Sequence, residues 1–179
     1  MENGSRLIVL RGNSASGKTT VAAELQSTLG PGTANIAQDY LRRVVLREHD
    51  VANGDNIGLL ANTIRYCARQ GYDVIMEGIL VAKHYREMFC ELIAEHPGPS
   101  HVFYLEVDLG EAIRRHRERP LGRDVSSEEF RGWYVPNDLL GVPGEVVLDA
   151  TADVGSTICA IVAALGDRQD RHWDVRRFL

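Results

Sequence analysis

Apolar residues follow two alternating patterns along this chain. Short runs rich in Val, Ile and Leu occur at Leu7–Leu10, Asn35–Ala37, Val74–Met76, His101–Val107 and Glu145–Leu148. Their length and lack of polar alternation predict strands buried on both faces. Between them lie longer stretches in which apolar residues recur every three or four positions. These predict helices over Lys18–Leu29, Tyr40–Glu48, Ile57–Gln70, Lys83–His96, Glu111–Arg119 and Asp153–Leu165. Gly30-Pro31-Gly32 stops the first helix and Gly71 follows the third. Asp108 with Glu111, and Ser126 with Glu129, have capping-box spacing. Strand and helix in alternation predict an α/β domain in three layers, a parallel sheet of about five strands covered on both faces. No repeat or low-complexity linker divides residues 1–179, so the chain reads as one domain with a short lid at about 114–137.

Composition narrows the function. With 179 residues and 44% hydrophobic content the chain can bury a sizeable core. A formal charge of −5 argues against a nucleic-acid partner, which calls for a basic surface. Neither a signal-peptide core nor a membrane span is present, so the expectation is a soluble cytoplasmic protein with no membrane partner. Three widely spaced cysteines, Cys67, Cys90 and Cys159, suit plain thiols better than a metal or catalytic site.

One motif carries specific chemistry. Gly12-Asn13-Ser14-Ala15-Ser16-Gly17-Lys18-Thr19 matches G-x-x-x-x-G-K-[S/T] and sits between a predicted strand and a predicted helix, as a phosphate-binding loop requires. Its glycines let successive N–H groups turn inward, and the helix N-terminus, with Thr20 in its first turn, adds partial positive charge. Lys18 can reach the β- and γ-phosphates of ATP or GTP, and the Thr19 hydroxyl can bind Mg²⁺. Lys18 is one of only two lysines in the chain, which makes a chance match less credible.

Other candidates are less specific. Asp39 follows the second strand, where open α/β sheets bind ligands; it can activate a hydroxyl or cap the next helix. Glu77 ends the third strand, followed by Gly78. The acid can hold Mg²⁺, directly or through water, grip an acceptor, or remain a solvated carboxylate; the glycine can let a substrate approach the backbone. Arg114, Arg115, Arg117, Arg119 and Arg123 cluster within ten positions. Singly each reads as a solvated helix face, but together they can stabilise a transferring phosphoryl group, with Arg119 and Arg123 preferred and Arg115 next. Trp133 and Tyr134 can stack on an acceptor, or Trp133 can anchor the lid. Thr151 is a base-side contact or a helix cap.

The order of Gly12–Thr19, Asp39–Arg42, Glu77-Gly78 and Arg114–Arg123 resembles that of adenylate-kinase-like small P-loop kinases. Among these the chain looks most like chloramphenicol phosphotransferase and phosphotransferases of capuramycin-type nucleoside antibiotics. The resemblance implies a strand order of 2-3-1-4-5, Asp39 as catalytic base and lid arginines closing over the γ-phosphate. It also implies transfer from ATP or GTP to a small-molecule hydroxyl. A nucleoside monophosphate kinase or a sugar-metabolite kinase is the alternative enzyme, and a nucleotide-dependent switch the alternative of another class. Against a monophosphate acceptor, only Arg42 keeps the arginine pattern of such kinases, and Ile79-Leu80-Val81-Ala82 is apolar where they carry a cation; Arg65 or Arg86 is the available substitute. Oligomeric state is not legible.

Overall fold

The computed structural model describes residues 4–118 and 126–166. The apolar runs become β1 (Leu7–Arg11), β2 (Thr33–Ala37), β3 (Asp73–Gly78), β4 (Ser100–Glu106) and β5 (Val146–Asp149). All are parallel, in the order β2-β3-β1-β4-β5. The intervening segments form α1 (Lys18–Leu29), α2 (Gln38–Tyr40), α3 (Asp55–Arg69), α4 (Ala82–Glu95), α5 (Leu109–Arg117), α6 (Ser127–Trp133) and α7 (Val154–Leu165).

β1 is wholly buried at the sheet centre because helices cover both of its faces. Ile8 and Leu10 pack with Val21 and Leu25 of α1, Phe130 of α6 and Ile161 of α7. Leu7 and Val9 face the other way, toward Leu60 and Ile64 of α3 and Phe89 of α4. Alternate residues of one strand therefore feed two separate cores, and the unbroken apolar run is the sequence trace of that. At the amino end of the sheet a buried ion pair fixes the register: Arg6 donates from its backbone N (2.8 Å), Nε (3.0 Å) and Nη2 (2.7 Å) to the Asp73 carboxylate. No helix among the described residues is long and apolar enough to cross a membrane.

Two elements differ from expectation. The helix expected over Tyr40–Glu48 is a single α-turn followed by a π-helical segment, Leu41–Leu46, that ends at Arg47 in the left-handed region. Within the expected lid, Ser127–Trp133 forms a helix of its own. Its capping box at Ser126 and Glu129 is present, with hydrogen bonds both ways. Asp108, by contrast, caps α5 alone, because Glu111 turns to Arg114 and Arg115 instead.

Candidate nucleotide and acceptor site

Residues 12–17 leave the end of β1 and curl into the start of α1. Gly12 sits so close to β4 that a Cβ there would lie 2.4 Å from the Leu105 carbonyl oxygen. Ala15 and Gly17 have positive φ, which turns consecutive amides toward one concavity. No side chain caps α1, and its first turn has no acid, whereas Asp108, Ser126 and Asp153 cap α5, α6 and α7. The first amides of α1 therefore keep donors for an incoming anion. Lys18 is buried, its Nζ donating to the Asn13 carbonyl (2.7 Å) and Ser16 Oγ (3.2 Å) across the loop a phosphate would fill. Ser14 is half-buried at the loop's turn, and Thr20 is exposed beside it.

β1 and β3 pair in register, Leu10 opposite Glu77 and Arg11 opposite Gly78. This puts the Glu77 carboxylate beside the loop, where it accepts from Thr19 Oγ1 at 3.2 Å. Burial raises the Glu77 carboxyl above its ordinary range; Lys18 and the Thr19 hydrogen bond oppose the rise, and Asp39 adds to it. The solvated-carboxylate reading of Glu77 therefore fails. A Cβ at Gly78 would meet the Gln38 Cβ at 2.8 Å, so the glycine makes room for Gln38.

Asp39 lies inside α2, whose N-cap is Ala37 and which has no side-chain cap. The helix-cap reading of Asp39 is excluded. Its carboxylate is more than half exposed and accepts from Arg42 Nη2 (2.8 Å) and Arg43 Nε (3.2 Å). Arg42 is buried and also donates to the Glu48 carbonyl at 3.2 Å. Arg65 pairs with Glu95 (2.9 Å), and the Arg86 guanidinium packs beside Gly141. Leu80, expected on an acceptor surface, is fully buried in the α3–α4 core.

The arginine-rich segment divides by environment. Arg114 is exposed and pairs with Glu111 and Glu118; with Arg115 it holds the Glu111 carboxyl down at about 2. Arg117 donates to Ser127 Oγ, joining α5 to α6. Arg115 lines a cleft of about 200 Å³ beside Gly17, with Thr20, Val21, Leu105, Ala152 and Val154. Arg119 and Arg123 lie outside the described residues. Thr151 does not cap α7; its N–H and hydroxyl both donate to Asp149 Oδ1, while Asp153 is the cap. Trp133 is exposed, and the anchoring aromatic is Phe130, buried against His116. Tyr134 donates to the Val107 carbonyl at 2.9 Å.

Three sets of contacts that hold this geometry leave no sign in the sequence. Arg11 is fully buried and donates to the Leu80 carbonyl, to Asp138 through both its backbone oxygen and its carboxylate, and to Glu145. Asp138 in turn accepts from the Ala82 amide that opens α4. Asn13 of the loop bonds the Val135 N–H (3.0 Å) and carbonyl (2.8 Å) and the Tyr104 hydroxyl (3.0 Å). Buried Tyr85 links Gln38, the residue before Asp39, to Asp50 and Asn56 through its hydroxyl.

Solved structures with the same fold include three kinases. The Mycobacterium tuberculosis APS kinase in complex with AMPPNP and APS has a TM-score of 0.73 at 17% identity, over 91% of this chain and 98% of that one. A Sinorhizobium meliloti gluconokinase has a TM-score of 0.65 at 18% identity, over 92% and 93%. A Janibacter sugar kinase has a TM-score of 0.66 at 19% identity, over 90% and 94%. At these identities the likeness is one of fold. A comparison with curated protein sequences gives no match. The AAA domain family model matches residues 7–132, from the first residue of β1 into α6, and the chain belongs to that family.

Proposed function

We propose that this protein transfers the γ-phosphate of ATP or GTP to a hydroxyl of a small molecule, with Mg²⁺ as cofactor. One observation carries the reading: Lys18 and Thr19 after β1, Asp39 after β2 and Glu77 at the end of β3 converge at the carboxyl edge of three adjacent strands. The loop amides and Lys18 bind the triphosphate. The cleft beside Gly17, with Arg115 and the Thr151 turn at its edge, takes the base. Asp39, held by Arg42 and Arg43, orients the acceptor hydroxyl and receives its proton. Arg119 and Arg123 are assigned to the transferring phosphoryl group, and Trp133 and Tyr134 to the acceptor's outer edge.

The donor set fits Mg²⁺. Among the described residues no three metal-ligating side chains cluster, and one hydroxyl with one carboxylate, direct or through water, suits an ion that takes its other ligands from phosphate and water. Thr19 and Glu77 would hold it. When bound it neutralises charge on the β- and γ-oxygens.

Transfer to a neutral hydroxyl is favoured over a monophosphate because a buried dianion needs several cations. Arg42 is committed to Asp39 and Glu48, and Arg65 to Glu95. Antibiotics of the chloramphenicol and capuramycin kinds are the first acceptors to try, in a cytoplasmic resistance role. Incubation of the protein with Mg-ATP or Mg-GTP and acceptor panels, read by mass spectrometry, should show a gain of one phosphate. Nucleotide consumption that needs no acceptor would refute transfer and mark a switch.

A further inference from the structure

A second cavity lies at the opposite edge of the sheet from the phosphate loop. It holds about 250 Å³ between the last turns of α3 and α4, with Leu7, the first residue of β1, at its floor and Ile64, Ala68 and Leu92 in its walls. β1 rises about 3.3 Å per residue from Leu7 to Arg11, so roughly 13 Å of sheet separates this cavity from the loop. It shares no lining residue with the cleft beside Gly17. Its rim is charged. Arg65 Nε donates to Glu95 Oε2 at 2.9 Å across the gap between the two helices, and this pair neutralises itself. Arg69, one turn further along α3, donates from Nε to the Arg65 carbonyl at 3.3 Å, and among the described residues its terminal nitrogens meet no acceptor. His96 adds no charge. Its Nε2 faces the Ser5 carbonyl at 2.6 Å, and burial pushes the ring below its ordinary value, against the opposing effects of that bond and of Asp73. The rim therefore carries one net positive charge in a protein whose formal charge is −5.

We infer that this cavity binds a small monoanion with an apolar body, an aryl- or alkyl-carboxylate, with the body on Leu7 and Leu92 and the carboxylate on Arg69. Volume sets the scale: an apolar cavity of about 150 Å³ takes benzene, so this one has room for a six-membered ring and a short chain ending in the acid. The C-termini of α3 and α4 also point this way, and their partial negative charge opposes an anion. The last α3 carbonyls are already satisfied, however, Ala68 by the Gly71 N–H and the Ser5 hydroxyl and Cys67 by the Tyr72 N–H. A guanidinium–carboxylate hydrogen bond is stronger than what remains of the dipole. A small molecule fits better than a second copy of the chain, because Leu7 and Leu92 are buried and are reached only by a group that enters the cavity. The site is separate from the nucleotide and acceptor groups and does not depend on the transfer reading.

The test titrates the full chain by calorimetry with 3-phenylpropionate, 3-phenylpropan-1-ol and acetate, with and without saturating Mg-AMPPNP. The first probe has body and charge, the second the body alone, the third the charge alone. 3-Phenylpropionate should bind with a submillimolar Kd, at least about fivefold tighter than the alcohol and about tenfold or more tighter than acetate. AMPPNP should leave that affinity within about twofold. Ala68→Leu, which fills the cavity from its wall, should abolish binding of both phenyl probes, with a melting curve as the check on folding. Arg69→Gln, at an exposed position, should erase the preference for the acid and tests the charge whether or not the filled variant folds. Acetate binding as tightly as the phenyl acid would reduce the site to surface charge and overturn the inference. A preference for the alcohol, competition with AMPPNP, or unchanged binding in a folded Ala68→Leu would overturn it equally, as would no binding of any probe. A dimer seen by ultracentrifugation that Ala68→Leu disperses would assign the cavity to a second copy instead.

Discussion

Asp39→Asn separates chemistry from structure at the centre of the site. The amide keeps the shape of the carboxylate, and its oxygen can still accept from Arg42 Nη2, now 2.8 Å away. What is lost is charge. Replacing the ion pair by a hydrogen bond from the still-charged guanidinium to a neutral amide costs about 1 kcal/mol, and the exposed Arg43 contact adds little. In a domain of this size that is a fall in Tm of about 2–4 °C. The chemical step behaves differently. Loss of a general base lowers turnover about 10²–10⁴-fold, equivalent to about 3–5 kcal/mol on the barrier. Single-turnover transfer at saturating nucleotide and acceptor, beside a melting curve, measures both. A large loss of turnover with AMPPNP affinity retained and a small fall in Tm is the expected result. Near-normal turnover would refute the base, and a Tm fall of 10 °C or more would show that the carboxylate holds the fold together.

Lys18→Ala should retain the fold and lose most transfer, chiefly in kcat; wild-type kcat in a folded variant would contradict the loop's role. Glu77→Gln should lower transfer and flatten one part of the pH–stability profile. The folded carboxyl is raised, so its contribution to stability is full below the ordinary carboxylate value of 4.5 and is lost as pH rises through the folded value. Wild-type protein should therefore lose stability relative to the glutamine variant over that window, and parallel profiles from urea titrations would count against it. Asp73→Asn leaves the buried Arg6 charge without its counter-ion, at a cost of about 3–5 kcal/mol, or roughly 6–20 °C in Tm; calorimetry checks this, and activity per folded molecule should be unchanged.

The sheet was legible because β1, β3 and β4 are covered on both faces, which leaves an unbroken apolar run in each. The strand order came from the resemblance, since periodicity carries no information about which strands are neighbours. The π-helical turn was not legible. Leu41, Val44, Val45 and Leu46 satisfy helical spacing whether bonds run to i+4 or i+5, and the inward arginine depends on Asp39 and Glu48 in three dimensions. Glu77 could be nominated from its place at a strand end, but its contact with Thr19 depends on the β1–β3 register. Trp133 attracted notice as the larger aromatic, yet Phe130 is the one that falls on the inner face of α6. Arg11 ended an apolar run and gave no local sign of burial, because its partners Asp138 and Glu145 lie more than 120 positions away.

That distance sets the order in which the molecule can be completed. The phosphate loop is synthesised more than 120 residues ahead of its partners: Asn13 takes its clamp from Val135, and Arg11 takes its counter-charges from Asp138 and Glu145. A nascent chain that has not yet reached these residues holds a guanidinium at the end of β1 with no anion to meet it, in a strand that needs burial on both sides. Closing such long-range contacts is the slow, entropically costly part of assembly. The phosphate-binding motif is thus translated well before it can acquire its final shape, and nucleotide capture reports that the chain as far as Glu145 has already been threaded into place.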